Sequence, residues 1–265
     1  MEFEVKEIKN EKFTITYTKI GHGPKNFIMI PGMSLKPVNL SAAAIANSFR
    51  MFNDEYTIYC FDHKINADEN YSIEDKANDV VECCKILGLK NLYLYGASLG
   101  GFVVLNIAIK YPELVKKVVV VSSSYYLNES SKAFMDKVID LVNQRDVRSL
   151  LSYSLRMIYS EEFNNKFKDF FIKSNQDLSE YYMDQYKYEA ISLKRARYLL
   201  NDLPRIKAKT LIIVSKKDKI FGYEPSLLMS IKIPNCECIL YDDYSHAVYD
   251  EAPDLRDRLK KFFDN

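Results

Sequence analysis

The chain has 265 residues, of which 48% are hydrophobic, and its 37 basic and 36 acidic side chains give a net charge of +1. A chain of this length can build one sizeable core, and α/β folds reach about 250 residues as a single unit. The composition excludes collagen-like, disordered and disulfide-scaffold proteins. The balanced charge argues against a dominant role on nucleic acid or anionic membranes, so neither is expected as a partner.

The cysteines and the apolar segments indicate the compartment. The five cysteines include no CxxC pair, so neither a structural zinc site nor a thioredoxin-like motif is expected. Reduced thiols in a reducing compartment are the simplest interpretation. The chain starts with charged, alternating residues rather than the apolar run of a signal peptide, and its longest apolar stretch, 102–109, is too short to span a bilayer. These features predict a cytoplasmic protein.

Short apolar segments along the chain predict strands. The first thirty residues alternate between apolar and polar types, which predicts two antiparallel strands ending at a turn over 21–24, with His22 in that solvated turn. Continuous apolar runs follow, as expected for strands covered on both faces. These runs are Phe27–Ile30, Tyr56–Phe61, Leu92–Tyr95, Val118–Val121, Leu211–Val214 and Cys238–Tyr241.

Helical patterns separate these runs. Ser72–Asp75 resembles a capping box, and Gly88 ends the helix that it opens. A second helix over 99–110 stops before Pro112, and an amphipathic helix closes the chain after Pro253. Strands that alternate with helices predict a doubly wound, mostly parallel sheet of the α/β class, with the leading hairpin at one edge.

One long segment interrupts this alternation. Between the strands ending near Val121 and starting at Leu211, apolar residues recur at helical spacing and no clear strand is visible. A crossover between parallel strands needs only about a dozen residues. We therefore expect an inserted helical unit at the carboxyl edge of the sheet, where open α/β sheets bind ligands. The predicted division is a core of residues 1–123 and 209–265 and a helical cap of residues 124–208.

The candidate nucleophile lies between a predicted strand and a predicted helix, in Gly96-Ala97-Ser98-Leu99-Gly100. In that setting GxSxG is a nucleophile elbow, a strained turn that pushes the serine hydroxyl into the cleft. A serine that merely caps a helix does not require glycine on both sides. Ser98 is therefore the predicted nucleophile.

A serine hydroxyl needs a base, and the base needs an acid that orients it. Of the three histidines only His246 follows Ser98, as the chain order serine, acid, histidine requires. Asp218 follows the strand before the one that leads to His246, and it is the first carboxylate there. The strand after the nucleophile helix ends in Ser122–Ser124, without a carboxylate. Asp218 is therefore the predicted acid.

These landmarks resemble those of the α/β-hydrolase superfamily in its single-chain form with a helical cap, over nearly the whole chain. The resemblance rests on Gly21–Pro24, Ile30–Met33, Gly96–Gly101, Tyr111–Glu113, Asp218 and Ser245–His246. It implies an eight-stranded sheet and a catalytic triad of Ser98, His246 and Asp218. It also implies an oxyanion hole made by the backbone N–H groups of Met33 and Leu99.

Two departures from the family pattern concern loops near this site. The family often has His-Gly after the first buried strand, where this chain has Pro31-Gly32, which alters the support of the loop rather than the amide donor. The family often has Asp-x-Arg-Gly after the next strand, whereas Asp62–Ile65 contains neither Arg nor Gly. His63 is therefore a candidate pocket residue. Aromatic residues of the cap are further candidates for an apolar substrate pocket: Tyr125, Tyr126, Phe134 and Tyr182.

These features favour a serine hydrolase without cofactor or metal, specifically a carboxylesterase whose partner is a small or medium apolar acyl ester. The three dispersed histidines form no metal constellation, and no nucleotide-binding motif occurs. A thioesterase, amidase, acyltransferase or C–C bond hydrolase would use the same residues. A non-catalytic small-molecule receptor on the same fold is the alternative from another class. The sequence specifies neither the ester nor the oligomeric state.

Overall fold

The computed structural model describes residues 2–265, which contain one eight-stranded sheet. The strands are β1 Phe3–Lys9, β2 Thr14–Ile20, β3 Lys25–Ile30, β4 Tyr56–Phe61, β5 Leu92–Ala97, β6 Val115–Val121, β7 Lys209–Ser215 and β8 Cys236–Tyr241. Their order in the sheet is β1-β2-β4-β3-β5-β6-β7-β8. The pairs β1–β2 and β2–β4 are antiparallel and all other pairs are parallel. The predicted α/β fold, with its hairpin at one edge, is confirmed.

Helices connect the strands. They are α1 Ala42–Ser48, α2 Ile73–Ile86, α3 Leu99–Lys110, α4 Glu129–Asn143, α5 Val147–Ile158, α6 Glu161–Asn175, α7 Glu180–Lys194, α8 Glu224–Lys232, α9 Val248–Glu251 and α10 Leu255–Asp264, with 3₁₀ turns at Val38–Ser41, Arg50–Phe52 and Leu203–Arg205. The capping box that starts α2 is present, because the Ser72 hydroxyl accepts the Asp75 N–H and the Asp75 carboxylate accepts the Ser72 N–H.

The hairpin turn lies earlier than the sequence predicted. The chain reverses at 10–13, where the Asn10 side chain accepts two backbone N–H groups of the turn. The segment 21–24 instead links β2 to β3 and carries the exposed His22. A Cβ on Gly23 would lie 2.0 Å from the carbonyl carbon of Glu55, so only glycine allows this close approach. The glycines therefore mark a crossing of two chain segments rather than the hairpin.

Both faces of the sheet are covered, which explains the continuous apolar runs. Along β3, Phe27 and Met29 belong to the core under α1 and α10, whereas Ile28 and Ile30 belong to the core under α2 and α3. Phe27 and Phe263 of α10 meet edge to face, with ring centroids 5.0 Å apart. Alternate side chains of one strand thus fill opposite cores.

The four helices α4–α7 are inserted between β6 and β7 and contact loops at the carboxyl ends of the strands. Helix α4 packs on α7 and on α5, and α5 packs on α6. Hydrogen bonds join this insertion to the loops after β3, β4, β7 and β8: Ser34 N–H to Glu189, Gln185 to the Ala67 carbonyl, Lys219 to the Arg156 carbonyl and Ala247 N–H to the Ile158 carbonyl. The helices therefore lie over the edge at which a parallel sheet binds ligands.

Residues 2–265 contain no membrane-spanning helix, no cluster of three or more metal-ligating side chains and no disulfide bond. No helix there is both long enough and apolar enough to cross a membrane. The same residues contain no group of three or more His, Cys, Asp or Glu side chains arranged to hold a metal ion. All five cysteines are free thiols.

Candidate active site

Ser98 lies at the sharp turn between β5 and α3. Its backbone φ of 52° and ψ of −117° fall in a region that residues with a side chain rarely adopt. Its N–H donates to the Val121 carbonyl at 2.9 Å, and its carbonyl accepts the Ser123 hydroxyl at 2.7 Å. Ser98 is only 9% exposed. These bonds hold the strained turn against the neighbouring strand β6.

Glycines allow the turn to pack this tightly. A Cβ on Gly96 would lie 2.2 Å from the Gly100 carbonyl oxygen, and a Cβ on Gly100 would lie 2.1 Å from the Ile30 carbonyl oxygen. Neither position has room for a side chain. The spacing of the GxSxG motif is therefore a steric requirement of the contact between the elbow and the end of β3.

His246 follows β8 and Asp218 follows β7, and the structure brings the two side chains together. His246 Nδ1 lies 2.9 Å from Asp218 Oδ2, with both side chains at most 2% exposed. The other carboxylate oxygen of Asp218 accepts the N–H groups of Ile220 and Phe221 at 2.8 and 3.1 Å. Because Nδ1 faces an acceptor, it carries the proton and Nε2 is left as the basic nitrogen.

Ser98 and His246 lie at the same edge of the sheet, after β5 and β8. Within residues 2–265 the Ser98 hydroxyl and His246 Nε2 form no hydrogen bond. Such a bond is often long or poorly aligned without substrate and tightens in the complex.

Two backbone N–H groups near Ser98, those of Met33 and Leu99, are the candidates for an oxyanion hole. Neither N–H donates to an acceptor in the described part of the chain. A Cβ on Gly32 would lie 3.7 Å from Ser98 Oγ, so the peptide between Gly32 and Met33 runs beside the nucleophile. The Leu99 N–H is at the positive N-terminus of α3. Two free N–H groups of this kind are what an oxyanion hole requires.

A buried polar cluster lies behind residues 31–34, which we call the oxyanion loop after the role predicted for Met33. His63 Nε2 is 3.0 Å from the Gly32 carbonyl oxygen and 3.3 Å from Glu189 Oε1. Glu189 Oε2 accepts the Ser34 N–H at 3.1 Å. Lys76 of α2, also buried, is the positive charge that acts on Glu189. The cluster joins the oxyanion loop to the loop after β4 and to α7.

Burial sets the protonation of this cluster. It lowers the pKa of His63 to about 3, an effect that the Lys76 charge reinforces, so the imidazole is neutral. Because His63 Nε2 faces two oxygen atoms, the neutral ring carries its proton there. Burial raises the pKa of Glu189 above its ordinary value, while the Lys76 charge and the Ser34 N–H oppose that rise.

A cavity of about 200 Å³ lies between α7 and the loops after β3 and β4. Its walls include Ser34, His63, Ile65, Tyr182 and Glu189. Two of the residues predicted for a pocket, His63 and Tyr182, thus line the same space. A second, much smaller cavity of about 20 Å³ between His63 and Leu99 has room for one water molecule.

The remaining predicted cap aromatics make packing contacts. The rings of Tyr125 and Tyr126 lie 4.6 Å apart, and both meet Tyr198 edge to face. Phe134 is buried and stacks on Tyr153, with centroids 5.7 Å apart. These contacts hold the segment 124–208 together, so its aromatic residues serve helix packing as well as any pocket.

Sequence reasoning missed Glu189 and Ser123. Glu189 lies on the buried face of α7, three residues after the buried Tyr186 and one before Ala190. A carboxylate at helical spacing among mostly apolar residues was the available signal. Ser123 had no such signal, because its hydrogen bond to the Ser98 carbonyl depends on the pairing of β5 with β6.

The chain is similar to known proteins over most of its length. The family model described as alpha/beta hydrolase fold matches residues 55–253. An Agrobacterium fabrum protein with the provisional name carbamate hydrolase RutD is 23% identical over 218 residues, covering 79% of this chain and 84% of that protein. MGS-M2, an alpha/beta hydrolase enzyme from a Medee basin deep-sea metagenome library, superposes with a TM-score of 0.86 at 19% identity, covering 98% of each chain. A thermophilic esterase from Thermogutta terrifontis has a TM-score of 0.82 at 17% identity, again covering 98% of each chain. With its family match extending over most of the chain, this protein belongs to the alpha/beta hydrolase fold family.

Proposed function

We propose that this protein is a serine hydrolase that cleaves a small acyl ester through an acyl-enzyme. The observation that carries the proposal is the meeting, at one sheet edge, of a strained serine, a buried Asp218–His246 pair and two free backbone N–H groups. Each is a part that acyl transfer needs. The names of the relatives, an esterase and a carbamate hydrolase, support the same class of chemistry.

The reaction follows from the atoms present. Ser98 Oγ attacks the carbonyl carbon of the ester while its proton passes to Nε2 of His246. Asp218 keeps the other ring proton on Nδ1 and stabilises the imidazolium. The tetrahedral oxyanion accepts the Met33 and Leu99 N–H groups. The carbon–oxygen bond to the alcohol then breaks, and the alcohol takes the proton from His246. Water attacks the acyl-enzyme in the same way, which releases the acid and frees Ser98.

The insertion α4–α7 is proposed to act as a cap that sets substrate size. A cavity of about 200 Å³ lies beneath α7 beside Ser34 and His63, its lining does not include Ser98 or His246, and we propose that it extends the site toward the cap. Its lining combines the aromatic Tyr182 with the polar Ser34. Replacing Tyr182 by alanine should shift kcat/KM toward longer chains, by at most about 1–3 kcal/mol per methylene.

A carbamate is the second candidate substrate class. Several curated relatives carry the provisional name carbamate hydrolase, at 21–23% identity. A carbamate also presents a carbonyl carbon to Ser98, so the same residues would catalyse its hydrolysis. Thioester, amide and C–C bond cleavage would also use them, and a panel of matched acyl substrates separates these classes by their kcat/KM values.

The proposal is tested by labelling with a broad fluorophosphonate and by turnover of chromogenic esters. The probe should modify Ser98 alone, as located by peptide mass spectrometry. Wild-type protein should also hydrolyse at least one short-chain ester. Modification elsewhere would refute the nucleophile. A folded protein that takes up no probe and turns over no substrate would support the non-catalytic receptor instead.

A further inference from the structure

The Gly32 carbonyl and the Met33 N–H belong to one peptide group. A peptide group is planar, so fixing the direction of its C=O also fixes the direction of its N–H, which points the opposite way. His63 Nε2–H donates to that carbonyl oxygen at 3.0 Å. His63 therefore orients the Met33 N–H from the far side of the peptide. The same bond polarises the peptide and strengthens its N–H as a donor.

The next peptide along the loop is held as well. The Ser34 N–H donates to Glu189 Oε2 at 3.1 Å, and Glu189 is 4% exposed. Its other oxygen lies 3.3 Å from the His63 nitrogen that carries the proton. One carboxylate therefore faces both His63 and the loop, and Met33 lies between two fixed peptides.

The oxyanion loop needs this outside support. Pro31 has no N–H to donate, and Gly32 has the widest backbone freedom of any residue. Among residues 2–265, no turn or loop hydrogen bond between main-chain atoms involves 31–34. The support comes from residues 31 and 155 positions away in sequence, one after β4 and one on α7.

We infer that His63 and Glu189 form a clasp that orients the peptide between Gly32 and Met33, and that they are positioning residues for the reaction. The inference rests on the proposed function, in which the Met33 N–H stabilises the oxyanion. Since Glu189 lies on α7, the clasp makes the oxyanion hole complete only while this helix is seated on the loop.

Replacing Glu189 by methionine tests the clasp, since it removes the acceptor of the Ser34 N–H and nearly preserves side-chain volume. We expect kcat to fall by about 10- to 100-fold, below the roughly 10²–10³ lost with a whole oxyanion donor. KM should stay within about twofold, because a misdirected donor weakens the transition state more than the bound ester. Glu189→Gln retains an acceptor for the Ser34 N–H, but its NH₂ group then faces the proton on His63 Nε2, so this variant should recover only part of the lost kcat. His63→Leu, which frees the Gly32 carbonyl, should also lower kcat selectively.

Glu251 supplies the matched control. Its carboxylate accepts the Ser160 N–H at 3.0 Å, so it too receives a backbone N–H of the insertion, but away from the oxyanion loop. Glu251→Met should leave kcat within about twofold of wild type. All kcat values are taken per site titrated with fluorophosphonate, so misfolded protein does not count.

The possible results separate the clasp from the proposed function. An active wild type with Glu189→Met or His63→Leu at wild-type kcat overturns the clasp and leaves the hydrolase proposal standing. An effect on KM alone also overturns the clasp, because it would indicate a role in substrate binding rather than in orienting the peptide. If Glu189→Met fails to fold, His63→Leu decides by the same criterion. A wild type with neither labelling nor turnover overturns the proposed function itself.

Discussion

Replacing Asp218 by asparagine is expected to lower kcat by about 10⁴-fold, and the structure explains why. Oδ1 of Asp218 accepts two backbone N–H groups, from Ile220 and Phe221. In the variant, only the amide oxygen can take that place, so the NH₂ group must face Nδ1 of His246. The ring proton then moves to Nε2, and His246 can no longer accept the proton of Ser98.

The magnitude follows from that change of tautomer. A 10⁴-fold loss corresponds to about 5.5 kcal/mol of transition-state stabilisation, at about 1.4 kcal/mol per tenfold. Stability should change less, because both backbone hydrogen bonds to Oδ1 survive. We expect the free energy of unfolding to fall by no more than about 3 kcal/mol, the value of one hydrogen bond to a charged group. The variant should therefore be folded and nearly inactive.

The assay is steady-state hydrolysis of a chromogenic ester by wild type, Asp218→Asn and Asp243→Asn, with thermal unfolding of each. Asp243 is an exposed carboxylate on the loop before His246 that pairs with Lys217 at 2.9 Å, so the control makes the same chemical change nearby. It should stay within about twofold of wild-type kcat. A folded Asp218→Asn with kcat within tenfold of wild type would show that Asp218 does not orient the base.

Three further changes probe the elbow and the buried histidine. Ser98→Ala should abolish labelling and lower kcat by about 10⁶-fold, and near-normal turnover would refute the nucleophile. Gly100→Ala places a Cβ 2.1 Å from the Ile30 carbonyl oxygen, so thermal unfolding should show that the free energy of unfolding falls by several kcal/mol. Gly88→Ala is the control, because its Cβ meets no atom within 4 Å and only the φ of 69° is unfavourable, which should cost about 1 kcal/mol. Burial lowers the pKa of His63, so the unfolded state takes up its proton first as the pH falls. We therefore expect the difference in unfolding free energy between wild type and His63→Gln to decline below about pH 6.5, by up to about 1.4 kcal/mol per pH unit. A difference that stays constant down to about pH 4 would contradict the burial of a neutral ring.

The strands were predictable because the sheet is covered on both faces. Val118–Val121 has helices on either side, so every position along it is apolar and the run stands out. The structure extends several strands beyond these runs, as with Lys209 and Thr210 at the start of β7, because pairing continues where side chains turn polar. The predicted position of the hairpin turn is wrong because the glycines at 21–24 indicate a turn. In the structure they allow two chain segments to pass close to each other.

The geometry of the candidate site was predictable where it depends on local sequence or on order along the chain. The elbow needs glycine at fixed offsets from Ser98, and the chain order singled out His246 and Asp218, whose side chains the structure brings together. The surroundings of His63 were not predictable. Its neighbours Gly32 and Glu189 come from distant parts of the chain, and only tertiary packing brings them within hydrogen-bonding distance.

The position of the insertion in the sequence affects how the sheet folds during synthesis. Strand β6 pairs with β5 on one side and β7 on the other, and all four helices α4–α7 come between β6 and β7 in sequence. At about 5–20 residues per second, β6 waits several seconds on the ribosome for its second neighbour. During that time Val118–Val121, which end fully buried, form the open edge of the growing sheet. The long connection that covers the site thus gives this valine strand the longest exposure to aggregation during synthesis.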